Sequence, residues 1–556
     1  MANMNGAEIL TKQLKNEGVD VVFSLTGDPM AAIHTAMREQ GTRRINFRHE
    51  QASALAAQAY GYVTRKPAVA MVPSGPGMTN AITALETARS NCWPFLLIAG
   101  NGDLSRRFRG DFQEAPQVEA AAPFCKWSIS VDDPRQIPYY VHSAMTKMMN
   151  GRPMPVFLDL PSNVITAQVR EEDVLYYPPA PPIPRPTADP HQVKEAVKLI
   201  SEARNPLLLL GKGVAWSDAA DEVRELVDRL QIPFVPSPMG KGIVPDDHPL
   251  NAQGARSFAL QNADLVVLAG ARFNWLFHFG EPPRFAPSFK VIQIDIDPGE
   301  LGNGVPAEVG LAGDAKAVFR QMLDEIGQTK SSIETPWLQS LESEKKKNAD
   351  AVAEFIGSDQ TPMNMYRMYR EVVAMMDRDA TITADGENAM AISRVMVPNY
   401  LPRHRLDGGV SGCMGVSVPY ALGAQVATPG KQVVSFNGDY AFGWNGFEAE
   451  TAVRNDLPIV FIVANNVSVG GPDKMELPNL VPNLGYQPEG IRYDKIMEAF
   501  GGHGEHVERP EELRPALERA ISSGKAALIN VVIDKRPARK KQEHHWMTGR
   551  SDRMSY

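Results

Sequence analysis

Cysteine is scarce in this chain. Its 556 residues include only Cys92, Cys125 and Cys413. They are odd in number, far apart, and form neither a CxxC pair nor a Cys/His ligand spacing. A disulfide framework and a zinc site are therefore not expected, and a reducing, cytoplasmic setting fits. A basic excess is also lacking. Lys and Arg number 57 against 65 Asp and Glu, a formal net charge of −8. Nucleic-acid binders carry a basic excess or a basic face, so no nucleic-acid partner is expected. No apolar run approaches the ~18 residues that cross a bilayer, so no membrane role is expected. The start, Met1-Ala2-Asn3-Met4-Asn5-Gly6, has no basic region followed by an apolar stretch, as a signal peptide would. The end, Met554-Ser555-Tyr556, is not a peroxisomal address. No short-period repeat is present.

What is present is an ordinary globular composition, 43% hydrophobic and 22% charged. The length suits about three domains of roughly 100–200 residues. Short apolar runs alternate with helical patterns: Ala68–Val72, Phe95–Ala99, Val156–Leu160, Leu207–Leu210, Leu265–Ala269, Val433–Phe436, Ile459–Ala464 and Leu528–Ile533. Rich in Val, Ile and Leu and bounded by Gly, Pro, Asp or Asn, they read as buried parallel strands. The fold class expected is α/β, with three domains of parallel sheet flanked by helices. Tyr176 to Pro186 is too proline-rich for a helix or a central strand and reads as an extended connector. A second linker, from Gln328 to Gln360, carries Lys345-Lys346-Lys347 and reads as holding one surface helix. The blocks predicted are 1–172, 188–327 and 361–536, with a basic tail at 537–556. The first and third share a strand-loop-helix rhythm.

One segment carries specific chemistry. Phe436 ends an apolar strand, and Asn437-Gly438-Asp439-Tyr440-Ala441-Phe442-Gly443-Trp444 follows as a loop. A helix is predicted next, because Phe447, Ala449, Ala452 and Val453 recur at helical spacing. A second strand then ends in Asn465-Asn466. Asp439 and Asn466 thus fall at the carboxyl ends of two parallel strands, where α/β sheets bind ligands. A magnesium ion takes hard oxygen ligands and is often shared between a carboxylate and phosphates. Asp439 supplies charge, the Asn466 amide a neutral oxygen, and the main chain near Ser468 a third ligand. The helix start offers N–H groups to a diphosphate. A Gly-Asp pair alone would read only as a capped strand turn.

The whole segment resembles the thiamine diphosphate signature, in which Gly-Asp-Gly precedes Asn-Asn by about two dozen residues. Here Tyr440 stands in place of the third glycine. The resemblance extends to Glu50, in Arg48-His49-Glu50-Gln51-Ala52-Ser53-Ala54, which opens an alanine-rich helix after Ile45-Asn46-Phe47. A glutamate at a helix start by itself only favours the dipole. In the family it hydrogen-bonds the cofactor's aminopyrimidine ring and promotes loss of the thiazolium proton. Pro73-Ser74-Gly75-Pro76-Gly77-Met78-Thr79-Asn80 resembles the cofactor-contacting loop, through Pro76 and Asn80. In Gly412-Cys413-Met414-Gly415, the Gly412 carbonyl is implied to meet the aminopyrimidine and Met414 to wedge beneath the bent cofactor. Asn388, Gly438, Tyr440 and Ala441 complete the implied cofactor contacts. The family places the two cofactor-binding domains across a subunit interface, which implies a homodimer or homotetramer.

Longer stretches narrow the resemblance. Asn91-Cys92-Trp93-Pro94, Asp111 to Glu119, Gly270 to Gly280, Asn399 to Asp407, Arg492 to Gly502 and the tail Arg539 to Thr548 look like 2-hydroxyacyl-CoA lyases, which are close to oxalyl-CoA decarboxylases. The implied reaction is reversible cleavage of a 2-hydroxyacyl-CoA into formyl-CoA and an aldehyde or ketone. An acyl-CoA thioester is the implied partner, with oxalyl-CoA decarboxylase and an acetolactate-synthase-like carboligase as the competing readings. Gln113 is expected to meet the reacting oxygen. Oxalyl-CoA decarboxylases tend to carry Tyr and Glu where this chain has Phe112 and Gln113. The glycine-isoleucine-tyrosine run common after Asn-Asn is replaced by Val467-Ser468-Val469-Gly470-Gly471-Pro472. Glu489 is then the candidate proton shuttle. Arg403, Arg405 and Arg539 are candidates for the CoA phosphates, and the tail is a candidate lid. Trp127 and Gly27-Asp28-Pro29-Met30 are candidates for sizing the pocket. In the middle block, Gly211-Lys212-Gly213, Arg272 and Asp295 suggest a nucleotide such as ADP. A cofactor-free structural domain is the equal alternative.

Overall fold

The computed structural model describes residues 3–327, 335–467 and 490–535. Each of the eight apolar runs becomes a strand: Val69–Val72, Leu96–Asn101, Val156–Pro161, Pro206–Leu210, Leu265–Ala269, Val433–Gly438, Val460–Asn465 and Ala527–Val532. They are buried nearly end to end. Strands covered on both faces need apolar side chains on both, which is why these runs are continuous rather than alternating.

With further strands these form three sheets in which every neighbouring pair is parallel, and a separate two-stranded antiparallel sheet pairs Asn3–Asn5 with Gln168–Arg170. The first sheet holds Val21–Ser24, Arg43–Asn46, Val69–Val72, Leu96–Asn101, Trp127–Ser130 and Val156–Pro161. Numbered in chain order, these lie side by side as 2-1-3-4-6-5. The third sheet, from Thr381–Asp385 to Ala527–Val532, has the same order. The shared rhythm in the sequence is thus a shared topology. The middle sheet has five strands in the order 2-1-3-4-5. In all three the strand order reverses between the first and third strands, a switch point of the kind that opens a crevice at the carboxyl ends. The α/β class with parallel sheets flanked by helices is therefore observed.

The described residues divide into two compact units. One comprises 1–184, 411–430 and 443–459, and the other 185–410, 431–442 and 460 onward. Two pieces of the third block thus belong to the unit of the first. The reason is a helix crossing. The Glu50–Thr64 helix buries Ala52, Ala54, Ala56, Ala57 and Ala59 and is apolar nearly all round, as an enclosed helix must be. It packs on Ser417–Ala427, also enclosed. At the crossing a β-carbon on Gly423 would run into the Ala56 carbonyl. Trp93 lies beside this packing. It is fully buried, stacked on Tyr62 at 4.7 Å between ring centroids and tilted against Tyr420 at 5.2 Å. Asn91-Cys92-Trp93-Pro94 is therefore a core plug.

In the other unit, the expected surface helix is Thr335–Gly357, and it is more than a linker. Trp337 and Leu341 enter the core of the middle sheet, and the Trp337 indole N–H donates to the Pro206 carbonyl at 3.1 Å. Val352, Phe355 and Ile356 pack on the core of the third sheet. The helix pins these two sheets together.

Gly423→Ala tests the crossing. Alanine gains at most about 1 kcal/mol of helix propensity. Overpacking against a backbone carbonyl costs about 1–3 kcal/mol or more, because the two helices must separate. The variant is expected to unfold at a lower temperature than the parent; an equal or higher midpoint would refute a fixed crossing.

Candidate active site

The unit of the first block holds Glu50. His49 caps the helix from an extended conformation, its Nδ1 accepting the Gln51 N–H at 3.2 Å, so Glu50 is the first helical residue. Its side chain is mostly buried. One carboxylate oxygen accepts a hydrogen bond from Asn80 Nδ2 at 3.0 Å. The other faces Gly77, where a β-carbon would sit 3.3 Å from it and 2.6 Å from Pro73. Glycine there lets the Pro73–Asn80 segment close on the glutamate. Pro76 fits the first position of the short Pro76–Asn80 helix, where no N–H is needed.

Gln113 reaches the same segment. Its side-chain carbonyl accepts the Ser74 hydroxyl at 3.2 Å, and Ser74 also donates to the Asp28 carbonyl. Gly75 (φ 56°) meets the Gln113 main chain so closely that a β-carbon would strike its carbonyl. The loop after Val21–Ser24 arrives too, since a β-carbon on Gly27 would lie 2.6 Å from Pro73. The Gly27–Met30 loop thus sits at this switch point. Trp127 does not; it stacks on Tyr140 and lies under Lys147. Glu114 is occupied locally, accepting the N–H groups of Phe108, Gly110 and Asp111.

Beneath this loop lies a network with no motif of its own. Gln117 is buried, accepts the Gly75 N–H at 2.7 Å and donates to Asp159 at 2.6 Å. Asp159 also receives Asn101 Nδ2 and the Ser130 hydroxyl. Burial pushes its carboxyl up, the hydrogen bonds acting against that. In the same unit, Gly412 is exposed with φ 61° and open space at its α-carbon, and Met414 is half-buried. The Gly415 carbonyl accepts Asn445 Nδ2 at 2.8 Å, which fixes this turn.

The second unit holds Asp439 and Asn466, at the ends of adjacent parallel strands whose register pairs Gly438 with Ala464. The expected loop after Gly438 is instead a helix, Asp439–Asn445, followed by a turn at Gly446–Glu448 and the Ala449–Arg454 helix. The strand end and its neighbour Gly386 set the backbone here, and Asp439 begins the helix as soon as the strand ends. Tyr440 has no left-handed φ, so its position makes no demand for glycine, and its side chain is exposed. Close approach matters instead at Gly386 (φ 88°), where a β-carbon would sit 3.1 Å from the Gly438 nitrogen. This brings the start of the Glu387–Met396 helix, with half-buried Asn388, to the same switch point. Ala441 is buried there.

Asp439 is 2% exposed. Its carboxylate accepts the N–H groups of Tyr440 and Val467, each at 2.7 Å. Burial outweighs these bonds and pushes its carboxyl up to about 6. A divalent cation would reverse that shift. One buried carboxylate beside an amide oxygen is a hard-oxygen set that suits magnesium when phosphate oxygens supply the rest. Among the described residues no group of three or more His, Cys, Asp and Glu could hold a metal by itself. Val467 is held at φ 60°, a strained conformation for a β-branched residue and a mark of functional sites.

The CoA candidates fare differently. Arg405 is 1% exposed, donating to the Ser393 hydroxyl at 2.7 Å and lying 4.0 Å from buried Asp407. A guanidinium sealed in a core cannot reach a phosphate, so that expectation is corrected. Arg403 donates to the Ala215 carbonyl at 2.6 Å and lies 3.4 Å from Asp218. Ser468, Glu489, Arg539 and the tail lie outside the described residues. In the middle block Gly211-Lys212-Gly213 packs on Gly270, with the Gly211 and Gly213 N–H groups bound to the carbonyls of Ala269 and Gly270. Those amides are spent on packing rather than open to a phosphate. Asp295 ends the Lys290–Asp295 strand, nearly buried, and accepts the Asp297 N–H; Arg272 follows the neighbouring strand, half-buried.

Glu448 was not singled out by sequence. It is 1% exposed. Its Oε1 accepts the Arg48 and His49 N–H groups at 3.0 and 2.9 Å, and its Oε2 the Thr451 hydroxyl at 2.6 Å. Burial, only partly offset by these bonds, pushes its carboxyl up to about 7 from an ordinary 4.5. A proton held more tightly in the folded state stabilises it fully below about pH 4.5, and that stability is lost as pH rises through about 7. Glu448→Gln cannot titrate. It is expected to flatten this part of the stability profile and to exceed the parent above pH 8 by up to about 3 kcal/mol. Parallel profiles of melting temperature from pH 5 to 8 would contradict this.

Three family models match the chain. They are the N-terminal TPP binding domain of thiamine pyrophosphate enzymes over residues 4–120, the central domain over 193–322, and the C-terminal TPP binding domain over 385–531. The chain is 38% identical to 2-hydroxyacyl-CoA lyase 1 of Homo sapiens over 562 residues, covering 98% of this chain and 97% of that protein. It is 37% identical to oxalyl-CoA decarboxylase of Escherichia coli (strain K12) over 537 residues, 95% of each chain. It is 32% identical to a probable acetolactate synthase of Mycobacterium bovis over 539 residues, 96% of each. The glutamate cradle lies at the switch point of one sheet and the aspartate-asparagine pair at that of another, and the chain belongs to the thiamine pyrophosphate enzyme family, with similarity to 2-hydroxyacyl-CoA lyases and oxalyl-CoA decarboxylases.

Proposed function

We propose that this chain is a thiamine diphosphate-dependent carbon–carbon lyase that cleaves a 2-hydroxyacyl-CoA reversibly into formyl-CoA and an aldehyde or ketone. The carrying observation is Gln113. The Ser74 hydroxyl holds this neutral amide on the loop that lies against Glu50. A neutral hydrogen-bonding group suits a hydroxyl or carbonyl oxygen better than a second carboxylate beside an anionic substrate. Full-length similarity to lyases from Homo sapiens and Arabidopsis thaliana supports the same reading.

When bound, the cofactor supplies the nucleophilic carbon and the electron sink. The protein's part is positioning and proton handling. Glu50, oriented by Asn80, holds a proton at the ring nitrogen of the aminopyrimidine. Asp439 and Asn466, with a main-chain oxygen at Ser468, would hold Mg2+, which would supply positive charge for the diphosphate. Pro76, Asn80, Asn388, Gly412, Met414, Gly438, Tyr440 and Ala441 line the cofactor. Gln113 meets the reacting oxygen, and Glu489 moves the substrate hydroxyl proton. Arg403 and Arg539 are retained as CoA contacts, and Arg272 and Asp295 as the place for ADP in the middle block. The domain limits 1–172, 188–327 and 361–536, the tail at 537–556 as a lid, a homodimer or homotetramer with shared active sites, and a cytoplasmic location belong to the same proposal. No described helix is long and apolar enough to cross a membrane.

The decisive assay supplies Mg2+, thiamine diphosphate and a 2-hydroxyacyl-CoA, and follows formyl-CoA. Oxalyl-CoA and pyruvate, followed by carbon dioxide release, are the controls. Formyl-CoA formation is expected to exceed decarboxylation by at least about tenfold, or ~1.4 kcal/mol of discrimination; the opposite ranking overturns the reading. Glu50→Gln is expected to lower kcat by about 10²–10⁴-fold with cofactor affinity retained. Asp439→Ala is expected to lose magnesium-dependent cofactor binding in calorimetry.

A further inference from the structure

We propose that Glu448 is a positioning residue for Glu50, a role that rests on Glu50 being the activating glutamate. Glu50 owes its place to the turn before it. The strand Arg43–Asn46 ends, Phe47 to His49 turn the chain, and Glu50 begins the helix. That turn leaves main-chain N–H groups pointing away from both strand and helix. The Arg48 and His49 N–H groups, the two just before Glu50, both end on one oxygen of Glu448. The other oxygen takes the Thr451 hydroxyl, which keeps the carboxylate from rotating. Two flanking contacts set the same register. Arg454 donates to the Asn46 carbonyl at 2.7 Å, and Arg48 pairs with Glu450 at 2.8 Å.

The chemistry of the choice points to position rather than stability. Glu448 is almost wholly buried, and burial outweighs both its hydrogen bonds and the attraction of Arg454. A buried carboxylate that its partners do not fully compensate destabilises a fold, and an apolar side chain would cost less. What only a carboxylate or its amide offers here is one oxygen able to collect two neighbouring amides. That fixes the phase of the first helical turn. A helical residue turns by about 100° per step, so a small slip in the turn would swing Glu50 away from Asn80 and Gly77. Glu448 also lies between Asp439 and Asn466 in sequence. The stretch that carries the metal-binding pair therefore carries the holder of the activating glutamate as well.

Three variants test the role. Glu448→Ala removes the acceptor, Glu448→Asp shortens its reach, and Glu448→Gln keeps the oxygen without the charge. Amide hydrogen exchange at Arg48 and His49 is read in the cofactor-free full-length protein. Deuterium exchange at C2 of bound thiamine diphosphate is read in the holoenzyme, together with kcat and KM. For Ala and Asp, faster exchange at the two amides is expected, with C2 exchange and kcat both slowed about 10–100-fold, the scale of an ångström-level misplacement. KM for the CoA substrate should stay within about threefold. Gln should recover most of both rates. Native turn protection and native C2 exchange in Asp, or in a folded Ala variant, overturn the proposal. So does a Gln variant that is as impaired as Ala or that fails to fold, because the amide preserves the acceptor. C2 exchange needs no CoA substrate, so a wrong substrate assignment leaves this readout intact and the two failures stay distinguishable.

Discussion

Two helices that cross without a side chain between them hold the first block to pieces of the third. Glu50–Thr64 and Ser417–Ala427 meet where Ala56 faces Gly423, and both are sheathed in small residues. Close approach maximises dispersion contacts but leaves no room for adjustment. The body of the first helix is then fixed in place. The Gly412–Gly415 turn, which leads into the second helix, is fixed too. Trp93, Tyr62 and Tyr420 fill the space beside the crossing. The body of the helix that carries the glutamate is thus held by packing some distance away, and its first turn by the Arg48 and His49 contacts with Glu448.

Each sheet treats its switch point in a different way. In the first, Gly27, Gly75 and Gly77 let two loops close around Glu50. In the third, Gly386 and Gly438 bring two strand ends together beside Asp439. In the middle sheet, Gly211 and Gly213 pack against Gly270, and their amides are used up in doing so. The absence of a β-carbon serves close approach in all three. In the first and third sheets that approach brings a carboxylate, Glu50 or Asp439, to the crevice.

Buried carboxylates recur in both units, and their surroundings assign different work. Asp439 collects main-chain amides yet stays destabilised by burial, a state a divalent cation would relieve. Glu448 collects two amides of a turn. Asp159 collects side-chain donors and, through Gln117, steadies the loop that faces Glu50. Arg405, by contrast, is a buried cation beside Asp407 and serves the core. Charge type alone would not have separated these roles, because desolvation and hydrogen-bond geometry decide them.

Much was legible in the sequence because it is local. Continuous apolar runs announced parallel strands, since burial on both faces leaves no other composition. Asp439 and Asn466 stood out because the diphosphate signature is written at fixed spacing within a strand-turn-helix unit, and Glu50 through the family resemblance that this signature opened. What the sequence did not show depends on residues hundreds of positions apart. Glu448 reads as one more helix glutamate until the turn at Arg48 and His49 folds onto it, 400 residues away. Asp159 lies within a run read as a buried strand and Gln117 within a stretch read only as a resemblance, and neither shows its partner until the fold brings the two together. Arg405 reads as a free cation until Ser393 and Asp407 enclose it. The helix in place of the loop after Gly438 was missed because glycine and asparagine signal turns locally, whereas the strand end and its neighbours set the backbone there. Sequence determined which elements form and which side chains could do chemistry; tertiary structure decided which of them are desolvated and what each one touches, because burial and hydrogen bonding are properties of the assembled chain.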